Sequence, residues 1–276
     1  MREILRKLAR NPVGLAGAVI LSVLALVILF GPLLAPYDPT GFHVTRRLEG
    51  PSLDFLLGTD QFGRDLLSRI LTGARPAILF GIGATGLAVL AGGSVGVLSG
   101  YAGGLVDEAI MRALDVVLAV PALLFTLLIL TLLGSGIVNA MLAVAISFAP
   151  GFARLTRAST LSIRERDFVA AAIARGEQHA YILCREILPN LLPPVVVEAS
   201  IRIAQALMIG ATLSYLGLGA QAPASDWGLL VAEARDYLFR NGWLLAFPAL
   251  AIGISALGFN LLGDGLRDLL NPELDA

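Results

Sequence analysis

Residues 168–190 read FVAAAIARGEQHAYILCREILPN, a polar, charged interruption in the middle of an otherwise apolar chain. Arg154, Arg157, Arg164, Arg166, Arg175 and Arg185 lie in it or just before it. Asp167 can cap a helix that begins at Phe168 and continues through Val169. Ala170, Ala171, Ala172 and Ala174 give that helix a small-residue face, and Gly176 permits a sharp turn at its end. A second short helix is expected from about Gln178 to Ile187, stopping at Leu188-Pro189. The stretch is either a solvated loop between two membrane helices or a docking element for a soluble partner. The residues alone leave both open.

The flanks belong to a membrane protein. The chain has 276 residues, 57% hydrophobic and 15% charged, with a mean hydropathy of +0.80. That is too apolar for a soluble domain and fits several membrane spans. A net charge of −1 makes no general case for nucleic acid. Cys184 is the single cysteine, so no intrachain disulfide can form. The two histidines, His43 and His179, are far apart in sequence, so no metal site is expected. Lys7, preceded by Arg6, is the single lysine, which excludes a Gly-Lys-Ser/Thr phosphate loop. If this chain moves solute with ATP, another chain hydrolyses it.

Working outward, the basic start (Arg2, Arg6, Lys7, Arg10) precedes an apolar run from Val13 to about Leu34. Its length, and the lack of a small-residue cleavage site at Leu33-Leu34-Ala35, read as an uncleaved first span with a cytoplasmic amino terminus. Residues 36–76 form a polar outer segment, the best candidate for a small folded cap. Within it, Gly58-Thr59-Asp60-Gln61-Phe62-Gly63-Arg64-Asp65 can start a helix at Thr59 or Asp60. The Asp60/Arg64 and Asp65/Arg69 spacings suggest weak surface ion pairs along it.

A second span is expected from Ala77 to Leu98, rich in glycine for close packing in lipid. A turn follows over Ser99–Gly104. The third span opens with Asp107, Glu108, Arg112 and Asp115 at pairing distances, is kinked at Pro121, and ends near Leu133. The fourth runs from Ile137 to about Phe152. The fifth begins after Leu188-Pro189, with Pro193-Pro194 in its first turn, and ends near Leu216. Glu198 and Arg202 lie inside it, four residues apart, either as a mutual pair or as pore-lining groups. Trp227–Phe239 can lie at the outer interface with Trp227 and Tyr237 as anchors. Trp243–Leu262 is the last span.

The expected fold is therefore an all-α membrane protein of six transmembrane helices with both termini cytoplasmic. Arginine is concentrated in the segments this topology places inside. The organisation is residues 1–35 (cytoplasmic start and first helix), 36–76 (outer segment) and 77–276 (a five-helix core with an inner loop at 154–190).

Four blocks resemble permeases of the ABC-importer family for dipeptides, oligopeptides and nickel. They are Gly58-Thr59-Asp60-x-x-Gly63-Arg64-Asp65; the Ala-Ala, Gly176, Leu188-Pro189 pattern; Ser214-Tyr215-Leu216-Gly217-Leu218-Gly219; and Phe259-Asn260-Leu261-Leu262-Gly263-Asp264-Gly265-Leu266-Arg267-Asp268. They fall in family order across about residues 57–272, and the amino-terminal span and short tail look like the "C" type of permease. The sequence departs from the pattern at Ala170, where the family often has Glu, at Glu186, where His or an apolar residue is common, and at Ala222–Gly228.

The resemblance implies a type I ABC-importer permease fold in the inner membrane and no enzyme activity in this chain. Phe168, Val169, Ala170, Ala171, Ala172, Gly176, Leu188 and Pro189 would form the coupling loop that docks an ATPase. Phe168 and Val169 would be its apolar plug, and Ala171, Ala172 and Gly176 its close-contact face. Implied partners are a homologous second permease, one or two ABC ATPases and a substrate-binding protein, with ATP and Mg held on the ATPases. Peptide is the implied cargo, with nickel chelate, opine, glutathione-like or sugar-derived solutes as alternatives. An ion-coupled transporter would instead need a membrane carboxylate, for which Glu198 is the candidate. A membrane-embedded enzyme lacks any paired His or metal-ligand cluster in the sequence.

Overall fold

The structure, a computed structural model, describes residues 11–270. The basic start at Arg2, Arg6, Lys7 and Arg10, and the last six positions, lie outside the described residues. Helix α1 spans Pro12–Leu34, with Asn11 as N-cap accepting from the Val13 and Gly14 amides and Pro12 at the first position. Helix α2 spans Leu66–Ala88 and continues through a π-helical segment, Val89–Gly93, into α3, Ser94–Ala102. Helices α4 (Gly104–Leu118) and α5 (Ala122–Leu133) follow, then α6 (Ile137–Arg164). Beyond α6 come α7 (Asp167–Ala174), α8 (His179–Tyr181), a second π-helical segment (Ile182–Ile187) and α9 (Leu188–Tyr215). Helices α10 (Trp227–Ala234) and α11 (Trp243–Leu270) end the described chain. Among the described residues there is no strand, only one isolated bridge, Thr59 to Asp65.

Five helices are long and apolar enough to cross a membrane, and α4 with α5 make a sixth crossing if that pair is one span. The pair is bent by 93° at Pro121, far beyond the expected kink. Pro121 is the N-cap of α5, with non-helical φ −53° and ψ 132°, so the break is complete rather than a bend in a continuous ladder. The second crossing runs unbroken from Leu66 to Ala102, starting well before Ala77 and absorbing the expected turn at Ser99. The glycines explain this continuity. An added Cβ at Gly92 or Gly96 would collide with the carbonyl of Ala149 or Ala153, and at Gly100 it would lie 3.0 Å from that of Arg157. One four-residue ladder thus lies against another, backbone on backbone, along the α3–α6 seam.

The helices pack as a bundle around two apolar clusters. Phe80, Val144, Phe148, Phe152 and Leu213 join α2, α6 and α9. Ile78, Leu207, Trp227 and Phe259 join α2, α9, α10 and α11. Helix α1 lies outside, against α2 and α11. Gly31 of α1 sits beside Leu71, and Asn11 donates to Asp268 at 2.9 Å. The described chain therefore starts and finishes at one end of the bundle, the end that carries α7, and the segment 36–65 lies at the other.

Two further expectations fail on geometry. Arg112 pairs with Glu108, but Asp115 turns to Arg154 on α6 instead of Arg112. Trp227 is no interfacial anchor: it is 2% exposed and donates from Nε1 to the Ile70 carbonyl at 2.9 Å.

Candidate functional site

At the cap end, residues 58–65 do not start a helix. Gly63 has φ +81°, a left-handed conformation, and a Cβ there would meet the backbone of His43, so Gly is required twice over. The chain turns back, with Leu48 N donating to Asp60 O at 3.1 Å and Thr59 N to Glu49 O at 2.9 Å. Gly58 receives the Leu66 amide at 3.0 Å. Thr59, fully buried, donates to the Arg46 carbonyl and accepts from the Glu49 amide.

Asp65 is the N-cap of α2, taking the Ser68 amide at 2.7 Å and its hydroxyl at 2.6 Å; it makes no pair with Arg69. Instead Arg69, 1% exposed, reaches Asp60 at 2.7 Å and Glu233 of α10 at 2.7 Å. Arg64 bonds Asp60 at 2.6 Å and Glu233 at 2.8 Å. The expected weak surface pairs are thus a buried four-charge network of zero net charge, which ties the cap to α10. Glu233 had no signal in the sequence beyond being the one acidic residue in WGLLVAEA.

Two carboxyls beside this network are perturbed. The Arg46 guanidinium, hydrogen-bonded to Glu49 at 2.7 Å, holds the Glu49 carboxyl below its usual range. Asp226, the N-cap of α10, is pushed up by burial, a shift that its bonds from Ser214 and the Leu229 and Gly228 amides oppose without cancelling.

At the opposite end, α7 begins one residue earlier than expected. Arg166 is its N-cap without a side-chain bond, and Asp167 sits in the first turn, where its charge suits the helix dipole. Gly176, at φ +80°, closes the helix. Its amide reaches Ile173 O at 2.9 Å and the Glu177 amide reaches Ala172 O at 3.2 Å, a Schellman arrangement. No atom approaches the Gly176 Cβ position within 4 Å, so turn conformation explains the glycine.

Val169 and Ala172 are fully buried, packed with Ile182, Ile187 and Leu191 and against Val97, Tyr101 and Ile163. They form the inner core of the hairpin and cannot be part of an outward plug or contact face. The outward surface is Phe168, Ala170, Ala171, Ile173 and Ala174, with Phe168 41% and Ile173 55% exposed.

Leu188-Pro189 does not stop a helix. His179–Tyr215 is one continuous span of 37 residues, and the π-helical widening at Ile182–Ile187 precedes the proline that lacks an N–H. Pro193 and Pro194 consequently lie inside α9 rather than in its first turn. Leu188, with Val89, Val97, Leu183, Cys184 and Leu191, lines an apolar groove of about 450 Å³ bordered by both π-helical segments.

Polar contacts fasten the hairpin to its base. Tyr101 Oη meets His179 Nδ1 at 2.7 Å, and Arg164 donates to the Tyr101 carbonyl at 2.9 Å. Asp107 of α4 takes Arg157 Nε at 2.6 Å and the Ser99 hydroxyl. Glu186 reaches across the turn to Arg175 at 3.9 Å, a long, part-exposed pair of small energetic weight. In mid-span, Glu198 and Arg202 bond each other at 2.8 Å. Among the described residues no cluster of His, Cys, Asp and Glu could hold a metal ion.

A helical bundle with spanning helices, a folded cap at one end and a helical hairpin at the other defines a polytopic membrane protein. The chain belongs to the family of binding-protein-dependent transport system inner membrane components, which it matches over residues 92–276. Residues 1–51 match the N-terminal transmembrane domain of oligopeptide transport permease C.

It is 42% identical over 263 residues to the probable D,D-dipeptide transport system permease protein DdpC of Escherichia coli (strain K12), covering 95% of this chain and 88% of that one. It is 38% identical over 273 residues to the dipeptide transport system permease protein DppC of Alkalihalophilus pseudofirmus, covering 99% and 90%. Identity to the glutathione transport system permease protein GsiD of Pectobacterium atrosepticum is 40% over 274 residues, covering 99% and 91%. In fold it is similar to a chain of the MetNI methionine ABC transporter in an inward-facing conformation, at TM-score 0.60 and 17% identity, covering 74% of this chain and 97% of that one. The fold is thus that of type I ABC-importer permeases, and the protein is a multi-pass inner membrane protein.

Proposed function

We propose that this chain forms half of the membrane channel of an ATP-driven importer for di- or oligopeptides, pairing with a homologous permease. The relatives named for dipeptide transport support the cargo, since each matches nearly the whole chain. A glutathione permease at similar identity keeps a glutathione-like cargo as the second reading. A substrate-binding protein would dock at the cap end. One or two ABC ATPases, holding ATP and Mg, would dock at the hairpin.

The observation that carries the ATPase-docking role is the construction of the hairpin. Its inner residues Val169 and Ala172 lock it onto α3 and α6, while Phe168, Ala171 and Ile173 are left outside on a short helix. A helix held in this way moves as one piece with the spans beneath it.

Gly176 supplies the test. A side chain at φ +80° costs about 1–2 kcal/mol, least for Asn. Gly176→Leu should therefore insert normally, lose the shape of the hairpin, and cut dipeptide uptake and co-purification of the ATPases, while Gly176→Asn keeps both. Wild-type uptake by a stably inserted Gly176→Leu protein sinks the docking role. Recovery of this chain without a second permease or an ATPase in a mild-detergent pull-down sinks the importer assembly.

A further inference from the structure

Helix α9 is packed on two sides, yet the arc of it from Glu198 to Thr212 is mostly polar and part-exposed, with Ile209 its apolar member. One side packs on α2 and α11 through Ala204 and Leu207, and another packs on α6 through Ala206 and Leu213. Between them Glu198, Arg202, Gln205 and Thr212 fall at steps of four, three and seven residues. At 3.6 residues per turn they share an arc of about 80°. All four are part-exposed, with the side chains of Glu198 and Arg202 at 26% and 27%. The charged pair lies about 15–21 Å along α9 from its start, well inside the span.

An ion pair facing hydrocarbon at that depth is costly, so this arc faces an aqueous path or a partner. The pair is also only half used. Arg202 Nε donates to Glu198 Oε1, and among the described residues Arg202 Nη1, Arg202 Nη2 and Glu198 Oε2 have no hydrogen-bond partner. The guanidinium lies across the Phe148 ring, 5.2 Å from its centroid. Gly151 makes room for it, because a Cβ there would stand 3.0 Å from Nη2. Its free edge is therefore held in place rather than swinging.

We propose that the Glu198–Arg202–Gln205–Thr212 face of α9 lines the solute path, and that Glu198 and Arg202 there read a zwitterion. Glu198 Oε2 takes the solute's ammonium, and Arg202 Nη1 and Nη2 take its carboxylate. The pair is neutral when empty, which limits the cost of keeping it in the membrane, and it offers both charges to a peptide with free ends. This rests on the peptide-import reading.

The test uses the whole importer with two readouts. In a Cys184→Ser background, Gln205→Cys and Thr212→Cys should react with a membrane-impermeant methanethiosulfonate, while Leu128→Cys, on an exposed apolar face of α5, should not. Uptake of radiolabelled Ala-Ala at subsaturating concentration should fall about tenfold or more in Glu198→Gln and in Arg202→Gln, the scale of one charged hydrogen bond. The loss should appear mainly in KM, with partial recovery in Arg202→Lys and unchanged co-purification of the second permease.

Absence of labelling at both cysteines overturns the path. Labelling with unchanged uptake by the two charge variants overturns the recognition. Loss of the second permease from Arg202→Gln assigns the face to a subunit contact and also overturns it. If the wild-type importer takes up no Ala-Ala, the peptide reading fails, and labelling still decides whether the face lines a path.

Discussion

Replacing Glu233 by glutamine removes one charge from a set of four that balance in a nearly closed space. Glu233 Oε2 lies 2.8 Å from Arg64 and 2.7 Å from Arg69, and Asp60 Oδ2 lies 2.6 and 2.7 Å from the same two guanidiniums. The substitution leaves Asp60 alone against two cations whose side chains are 4% and 1% exposed. Unbalancing a buried pair costs about 3–5 kcal/mol. Glu233 is itself 16% exposed, and glutamine keeps one acceptor oxygen, so the lower end, about 3 kcal/mol, applies.

That energy holds the cap on α10, so the loss should appear as local opening of residues 43–65. The amides of Leu48, Thr59 and Asp60 are bonded within the cap and report on it directly. Their hydrogen exchange in detergent should accelerate about 100-fold, since each 1.4 kcal/mol is a factor of ten. The double variant Arg64→Gln with Glu233→Gln restores neutrality, leaving Asp60 with Arg69, and should recover a large part of the protection. Exchange of these three amides in Glu233→Gln within threefold of wild type, or no recovery in the double variant, refutes the electrostatic account.

Asp226 predicts a pH effect at the same end. Its carboxyl is raised by burial, so its contribution to folding is fully present below the ordinary carboxylate range and is lost as pH rises through the raised value. Asp226→Asn keeps the cap acceptor without the charge and should raise the thermal midpoint at pH 7.5, with the gain shrinking as pH is lowered; an equal midpoint at pH 7.5 contradicts it. At the α3–α6 seam, Gly92→Leu forces a side chain into the Ala149 backbone and should cost about 3 kcal/mol or prevent folding. Gly86→Leu, with no atom near its Cβ position, should be tolerated, and equal thermal stability of the two variants would remove the seam argument.

Much of the fold was legible because hydropathy and breaker residues act locally. The first span was placed to within a residue, and the glycine density from Gly81 to Gly96 marked a close-packed helix before any partner was known. What was misread depended on distant partners. Asp60 and Arg64 do meet, but through a turn at Gly63, not along a helix, and their stabilising neighbours Arg69 and Glu233 come from α2 and α10. The Asp115–Arg154 pair joins two helices that the sequence presents separately. At the hairpin, composition showed small and apolar residues but could not say which side they faced. Val169 and Ala172 turn inward because Ile182, Ile187 and Leu191 return beneath them after the Gly176 turn. Leu188-Pro189 read as a stop, since proline ordinarily ends a helix. The π-helical segment before it lets the chain continue, and single-residue propensities carry no signal for that.

This continuity bears on how the two proposed sites communicate. His179 sits in the hairpin and Tyr215 at the cap end of the same unbroken helix, with Glu198 and Arg202 between them. A helix of 37 residues is about 55 Å long and stiff along its axis. The other anchor of the hairpin, the α3–α6 seam, is backbone against backbone and has little room to slide. A force applied at Phe168 and Ile173 therefore has two routes into the membrane, and one of them, α9, carries the Glu198–Arg202 pair on a part-exposed face. On the proposed reading, tilting α9 moves Arg202 relative to Phe148 and Gly151 on α6, so the same displacement that answers an ATPase would also change the grip on a zwitterion.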